Sequence, residues 1–109
     1  MSTIVQTFPD GVPIDGTPGR GGVELGEEPI RLAAVYVSAP SLDVATIRAT
    51  MPAGKGAELV ELAAVPAVEG PPDSIAYVPP GGVPLPGASG LSIVVASHVG
   101  TATLWIVLE

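Results

Sequence analysis

Proline and glycine interrupt this chain so often that no long helix can be drawn through it. There are 14 Gly and 13 Pro in 109 residues. Proline removes a backbone donor and fixes φ, and glycine weakens any regular element it enters, so the pattern calls for short strands joined by turns. The apolar share, 47%, is too high for a chain disordered throughout. It comes chiefly from Val, Ala, Leu and Ile, with Phe8, Tyr36, Tyr77 and Trp105 the sole aromatics. A chain of this length makes one domain with one modest core.

Residues 1–29 carry no sustained period of two or 3.6. The run Asp10-Gly-Val-Pro-Ile-Asp-Gly-Thr-Pro-Gly-Arg-Gly-Gly22 is dense in turn formers, and five acids face Arg20 alone in this stretch. The expectation is an extended N-terminal arm that cannot fold by itself and that spans about 90 Å at full stretch. Its apolar residues, Ile4, Val5, Phe8, Val12 and Ile14 above all, are unlike a purely solvating tail. They are the candidate contacts with a neighbouring subunit. On this reading, deleting residues 2–25 leaves the remaining domain folded and impairs assembly.

From residue 30 to 109 the pattern becomes that of strands. Ile30 to Val37 is rich in β-branched residues. Leu42 to Met51 alternates, with Ala45, Ile47, Ala49 and Met51 on one face and Val44, Thr46, Arg48 and Thr50 on the other. Pro52-Ala-Gly-Lys-Gly56 suits a hairpin loop. Ala57 to Val65 has both helical and strand spacings, and its nine residues between a Gly-rich turn and Pro66 favour strand. Ser74 to Val78 is another short strand, and the Pro/Gly-rich Pro79 to Gly90 suits an edge or an extended connection. Gly90–Ser97 and Thr101–Leu108 read as a final hairpin, with Ala102, Leu104, Ile106 and Leu108 sharing its apolar face. The fold class is all-β: a small β-sandwich or jelly-roll-like barrel, with the arm at 1–29 and the sandwich at 30–109.

Charge and composition remove several functions. The net charge is −7 with four Lys and Arg, which argues against direct binding to nucleic acid. Without Cys there is no disulfide, thiolate metal site or Cys nucleophile, and without Asn there is no N-glycosylation. The first residues lack the basic and apolar regions of a secretory signal. Residues 91–108 carry no charge and just reach spanning length. Their central Ser, His, Gly and Thr residues suit a turn between strands better than a membrane helix.

No catalytic, metal or cofactor site is expected. His98 is the single histidine, no Gly-x-Ser-x-Gly elbow exists, and the residue reads as the tip of a turn. Glu27 and Glu28 point apart if extended, and Asp10 and Asp15 read as solvated charges. Gly54-Lys55-Gly56 fails as a phosphate loop, since Ala49 stands where the first Gly belongs and Gly56 where Ser or Thr belongs. Lys55 is a turn residue, and Gly19-Arg-Gly-Gly22 is a lone unit in an acidic stretch. Trp105, with Thr101, Thr103 and Val107, is either a platform for a glycan or partner chain, or core in a sandwich covered on both faces.

The segment from Tyr77-Val-Pro-Pro-Gly-Gly-Val-Pro-Leu-Pro-Gly-Ala-Ser-Gly-Leu-Ser-Ile to Thr103-Leu-Trp-Ile-Val resembles small β-sandwich structural proteins of tailed bacteriophages. The resemblance implies a non-enzymatic virion protein on the outer surface of the particle, a capsid decoration (cement) protein. Its partners would be the major capsid protein or other virion subunits, together with further copies of itself. No site residue is carried over by this pattern. The alternatives are a carbohydrate- or partner-binding β module, such as a small tail or fibre component, and a cupin-type enzyme, which the single His disfavours.

Overall fold

The computed structural model describes residues 2–53 and 56–109. Among the described residues twelve strands follow in order: β1 (Ser2–Phe8), β2 (Thr17–Pro18), β3 (Gly21–Glu24), β4 (Ile30–Ala39), β5 (Ser41–Leu42), β6 (Ala45–Ala53), β7 (Gly56–Val65), β8 (Asp73–Tyr77), β9 (Val83–Leu85), β10 (Gly90–Val95), β11 (His98–Val99) and β12 (Ala102–Leu108). They form two five-stranded sheets. The first runs β1-β12-β4-β8, with β9 continuing beside β4, and the second runs β2-β3-β10-β6-β7. A two-stranded ladder, β5 with β11, joins them at one end. The fold is all-β, a sandwich of two sheets.

Period-two patterning puts one face of each sheet into the core. From the first sheet come Leu32, Val35, Val37, Ile75, Leu104 and Ile106; from the second come Ala45, Ile47, Ala49, Leu91 and Ile93. All of these are at most 2% exposed. The expected alternation in 45–51 and in 102–108 is therefore observed face for face. The Ala57–Val65 segment is strand, paired antiparallel with β6 as a hairpin. A register shift opposite Ile47/Arg48 shows why its periodicity read both ways: a bulge breaks the strict alternation. Gly54 and Lys55 of the expected hairpin loop lie outside the described residues.

Two expectations are corrected. Residues 2–24 are not an arm beside the domain but part of both sheets. β1 pairs with β12 over its whole length, from Ser2↔Leu108 to Phe8↔Ala102, and β3 pairs with β10. The local sequence looks unstructured because its strands are short and their partners lie at the other end of the chain. The second correction concerns residues 90–108, which do not form a hairpin. β10 belongs to the second sheet and β12 to the first, so the chain crosses the sandwich between them. Each has its apolar face inward, and facing strands meet through side chains where hairpin strands meet through backbone.

Glycine makes the N-terminal segment fit. Gly21 has φ +94°, and a Cβ there would collide with the Ile93 carbonyl oxygen and lie 2.9 Å from Ile14 Cγ2. A Cβ on Gly22 would sit 2.5 Å from the carbonyl oxygen of Gly16. Gly21 thus lets backbone approach backbone where β3 meets β10, and Gly22 does so where β3 meets the chain entering β2. Gly21→Ala combines an unfavourable φ with a steric clash against main chain and should cost roughly 3 kcal/mol or more. Urea denaturation checks this: the midpoint should fall while the slope stays unchanged.

Candidate interaction surface

The outward face of the first sheet carries the arrangement most suited to recognition. Strand registers place four residues in one row across it: Val5, Trp105, Tyr36 and Ala76. Val5 is 54% exposed and Tyr36 39%, and Trp105 between them is half-buried. The next row is Thr7, Thr103, Ser38 and Ser74. β1 and β12 contain no charged residue, and Arg31 stands at the end of β4 with Nη1 donating to the Gly81 carbonyl at 2.6 Å. The centre of this face is therefore uncharged on a chain of net charge −7. Trp105 does not belong to the core; its neighbours Leu104 and Ile106 do.

The other expected contact residues are spent inside the domain. Phe8 and Ile14 are each 1% exposed and belong to the core, while Ile4 and Val12 pack against it, partly buried. They are not available to a neighbouring subunit, because the segment that bears them is built into the sandwich. Only Val5 and Trp105 of the expected set face outward, and they are cross-strand partners. The signal for this lay in Ser2–Phe8, where Thr3, Val5 and Thr7 alternate with Ile4, Gln6 and Phe8.

His98 has a structural environment. It is half-buried, with Nε2 2.5 Å from the Val12 carbonyl oxygen and Nδ1 2.9 Å from that of Gly100. The Gly100 amide donates to Asp10 Oδ1 at 2.8 Å. The histidine thereby pins the connection after β1 to the connection before β12. It is a clamp where the sequence suggests only the tip of a turn. His98→Ala should lower stability by about 1–3 kcal/mol, the cost of leaving a part-buried carbonyl without its imidazole donor. Calorimetry of the variant checks this.

Two further features complete the surface. A groove of about 490 Å³ runs beside β3 and β10, with Gly16, Gly22, Gly90, Ser92, Glu24 and Glu27 among the residues that line it. No group of three His, Cys, Asp or Glu comes together to hold a metal among the described residues. Beyond the groove, Asp15 accepts from the hydroxyl and the amide of Thr17. The hydroxyl bond, then the amide bond, holds its carboxyl below the ordinary value. No helix among the described residues is long and apolar enough to cross a membrane.

No protein-family model matches the chain, and no curated protein matches its sequence. Among solved structures it is similar to the NLP core of Drosophila, described in connection with pentamer formation and histone binding. That similarity covers 100% of this chain and 99% of that one, at 12% identity and a TM-score of 0.54. A second similar structure is Eiger TNF from S. frugiperda, covering 94% of this chain and 83% of that one, at 14% identity and a TM-score of 0.48. A third, the Clostridium thermocellum xylanase 10B CBM22-1-GH10 modules, covers 98% of this chain and 24% of that one, at 14% identity and a TM-score of 0.49. At 12% identity the likeness to the NLP core is one of fold, and the fold is a β-sandwich.

Proposed function

We propose that this protein is a non-catalytic binding and assembly module that meets its partner through the outward face of the first sheet. The observation that carries the reading is the uncharged row Val5–Trp105–Tyr36 on an acidic chain. Tryptophan and tyrosine held on a rigid sheet supply large contact area at small cost in conformational entropy, and such residues anchor interfaces. Asp and Glu outnumber Lys and Arg 11 to 4 and none of them lies on β1 or β12, so this neutral face is where a partner approaches with little desolvation of charge.

The setting we propose is the outer surface of a virion, as a capsid decoration protein bound to the major capsid protein or other virion subunits. It rests on the phage-like pattern of residues 77–107. Four strands about 4.8 Å apart and seven residues at about 3.4 Å make a flat patch of roughly 450 Å². A standard interface buries about 800 Å² per partner, so firm attachment requires several linked copies. Decoration by a homo-oligomer supplies them. The pentamer formation associated with the NLP core is a property of that protein, and it supports the proposal that this chain self-associates.

Co-sedimentation with capsids assembled from the shell protein of the same genome tests this. Trp105→Ala should abolish pelleting while shifting the melting temperature of the free domain little, because the side chain lies outside the core. A large fall in melting temperature with pelleting intact would refute the reading. A second reading, a glycan platform, is favoured by Trp105 flanked by the hydroxyls of Thr103 and Thr7. Binding to an array of oligosaccharides, lost in Trp105→Ala without capsid binding, would select it.

A further inference from the structure

Among the described residues the two sheets end in edge strands, and all but one of these are guarded. β2 has two residues, one of them Pro18. β7 carries Glu61, a bulge in its register and Pro66 after it. β8 begins at Asp73 and is flanked by Pro71-Pro72 and Pro79-Pro80, while β9 has Pro84 at its centre. Short length, charge, bulges and proline are the devices by which sheet proteins prevent edge-to-edge pairing.

β1 has none of them. Ser2-Thr-Ile-Val-Gln-Thr-Phe8 is seven residues long, without charge, proline or glycine, and its pairing with β12 is continuous without a register shift. Among the described residues no strand pairs with its far side. The Gln6 side chain turns inward, its Oε1 accepting from the Gly21 amide at 2.9 Å, and so leaves that edge open. An unguarded edge of strong strand formers is a template for another strand.

We propose that β1 pairs antiparallel with β1 of a second copy, about a two-fold axis through Val5. This deepens the assembly reading and rests on it for its biological use, whereas its geometry stands alone. Val5 is the central residue of the strand. A two-fold there sets Val5 opposite the second Val5, Thr3 opposite Thr7, and Ile4 opposite Gln6. Val–Val and Thr–Thr are favourable cross-strand pairs, and no charge meets a like charge although each copy carries −7. The guarded β8 edge denies β1 a head-to-tail partner, so the pairing closes as a dimer and does not run on as a fibre. The outward row then continues Tyr36–Trp105–Val5 into Val5–Trp105–Tyr36 of the second copy. The joined face doubles to roughly 900 Å², the size of one side of a standard interface.

The test is sedimentation of the full chain at up to about 200 µM, which reads dissociation constants in the micromolar range. The wild type should run as a dimer at the upper end. Val5→Lys and Val5→Glu, both at an exposed position, should each weaken the dimer by about tenfold or more with unchanged melting. An equimolar mixture of the two should restore it, because the substituted side chains face each other across the axis. A wild type that stays monomeric, a dimer indifferent to both variants, or a mixture that stays dissociated each overturns the proposal. A wild type that dimerises yet does not co-sediment with capsids would refute the partner reading instead, and leave this pairing standing.

Discussion

Deleting residues 2–24 should leave a chain with no cooperative unfolding transition at 25 °C. The deletion removes all of β1, which pairs with β12 along seven residues, and all of β3, which pairs with β10. It also takes Phe8 and Ile14 out of the core. Truncation of one large buried side chain costs about 2–5 kcal/mol, and the two together approach the 5–15 kcal/mol that holds a domain folded. Two strands' worth of backbone pairing is lost as well, and β12 becomes an exposed edge. Circular dichroism and a thermal scan of residues 25–109 check the outcome. A cooperative melt near that of the full chain would restore the picture of an arm beside an independent domain.

Leu104→Ala and Ile106→Ala should each cost about 2–5 kcal/mol. Both residues are 0% exposed and lie on β12, which stands between β1 and β4. Their side chains face the core, so neither site can refill from solvent, and a rigid ladder on both sides limits collapse around the cavity. The alternation provides an internal control. Thr103→Ala, on the same strand but facing outward, should change stability by no more than about 0.5 kcal/mol. Chemical denaturation of the three variants should therefore separate odd from even positions of one strand. Equal losses at 103 and 104 would contradict the assigned faces.

That separation was legible in the sequence, and so was the fold class. Period-two patterning at 45–51 and 102–108 reports burial on one face directly, and dense Gly and Pro exclude long helices. Pairing partners were not legible. A hairpin at 90–108 and a crossover between sheets have the same local pattern, because alternation fixes which side chains face inward and leaves open which strand lies alongside. Residues 2–24 misled for a related reason. Gly16, Gly21 and Gly22 look like the mark of a flexible tail, yet Gly21 and Gly22 sit where main chain crosses main chain. Only the tertiary contact distinguishes the two uses of glycine.

The candidate surface was half visible. Trp105 stood out as the single tryptophan, on the more polar face of its strand, but nothing local says whether a second layer covers that face. Its neighbours Val5 and Tyr36 come from strands about 100 and 70 residues away in sequence, and sheet register alone brings the three together. His98 reads from sequence as the tip of a turn because its partners, the Val12 and Gly100 carbonyls, are backbone groups that leave no mark on residue type.

The most direct test of the proposed partner surface uses the fluorescence of Trp105, the chain's single tryptophan. The protein is titrated with capsids assembled from the shell protein of the same genome, with iodide as quencher. Burial of the ring against a partner predicts that emission moves to shorter wavelength and that quenching falls, in proportion to the protein bound. Protein that co-sediments with the capsids while emission and quenching remain those of the free domain would contradict the account.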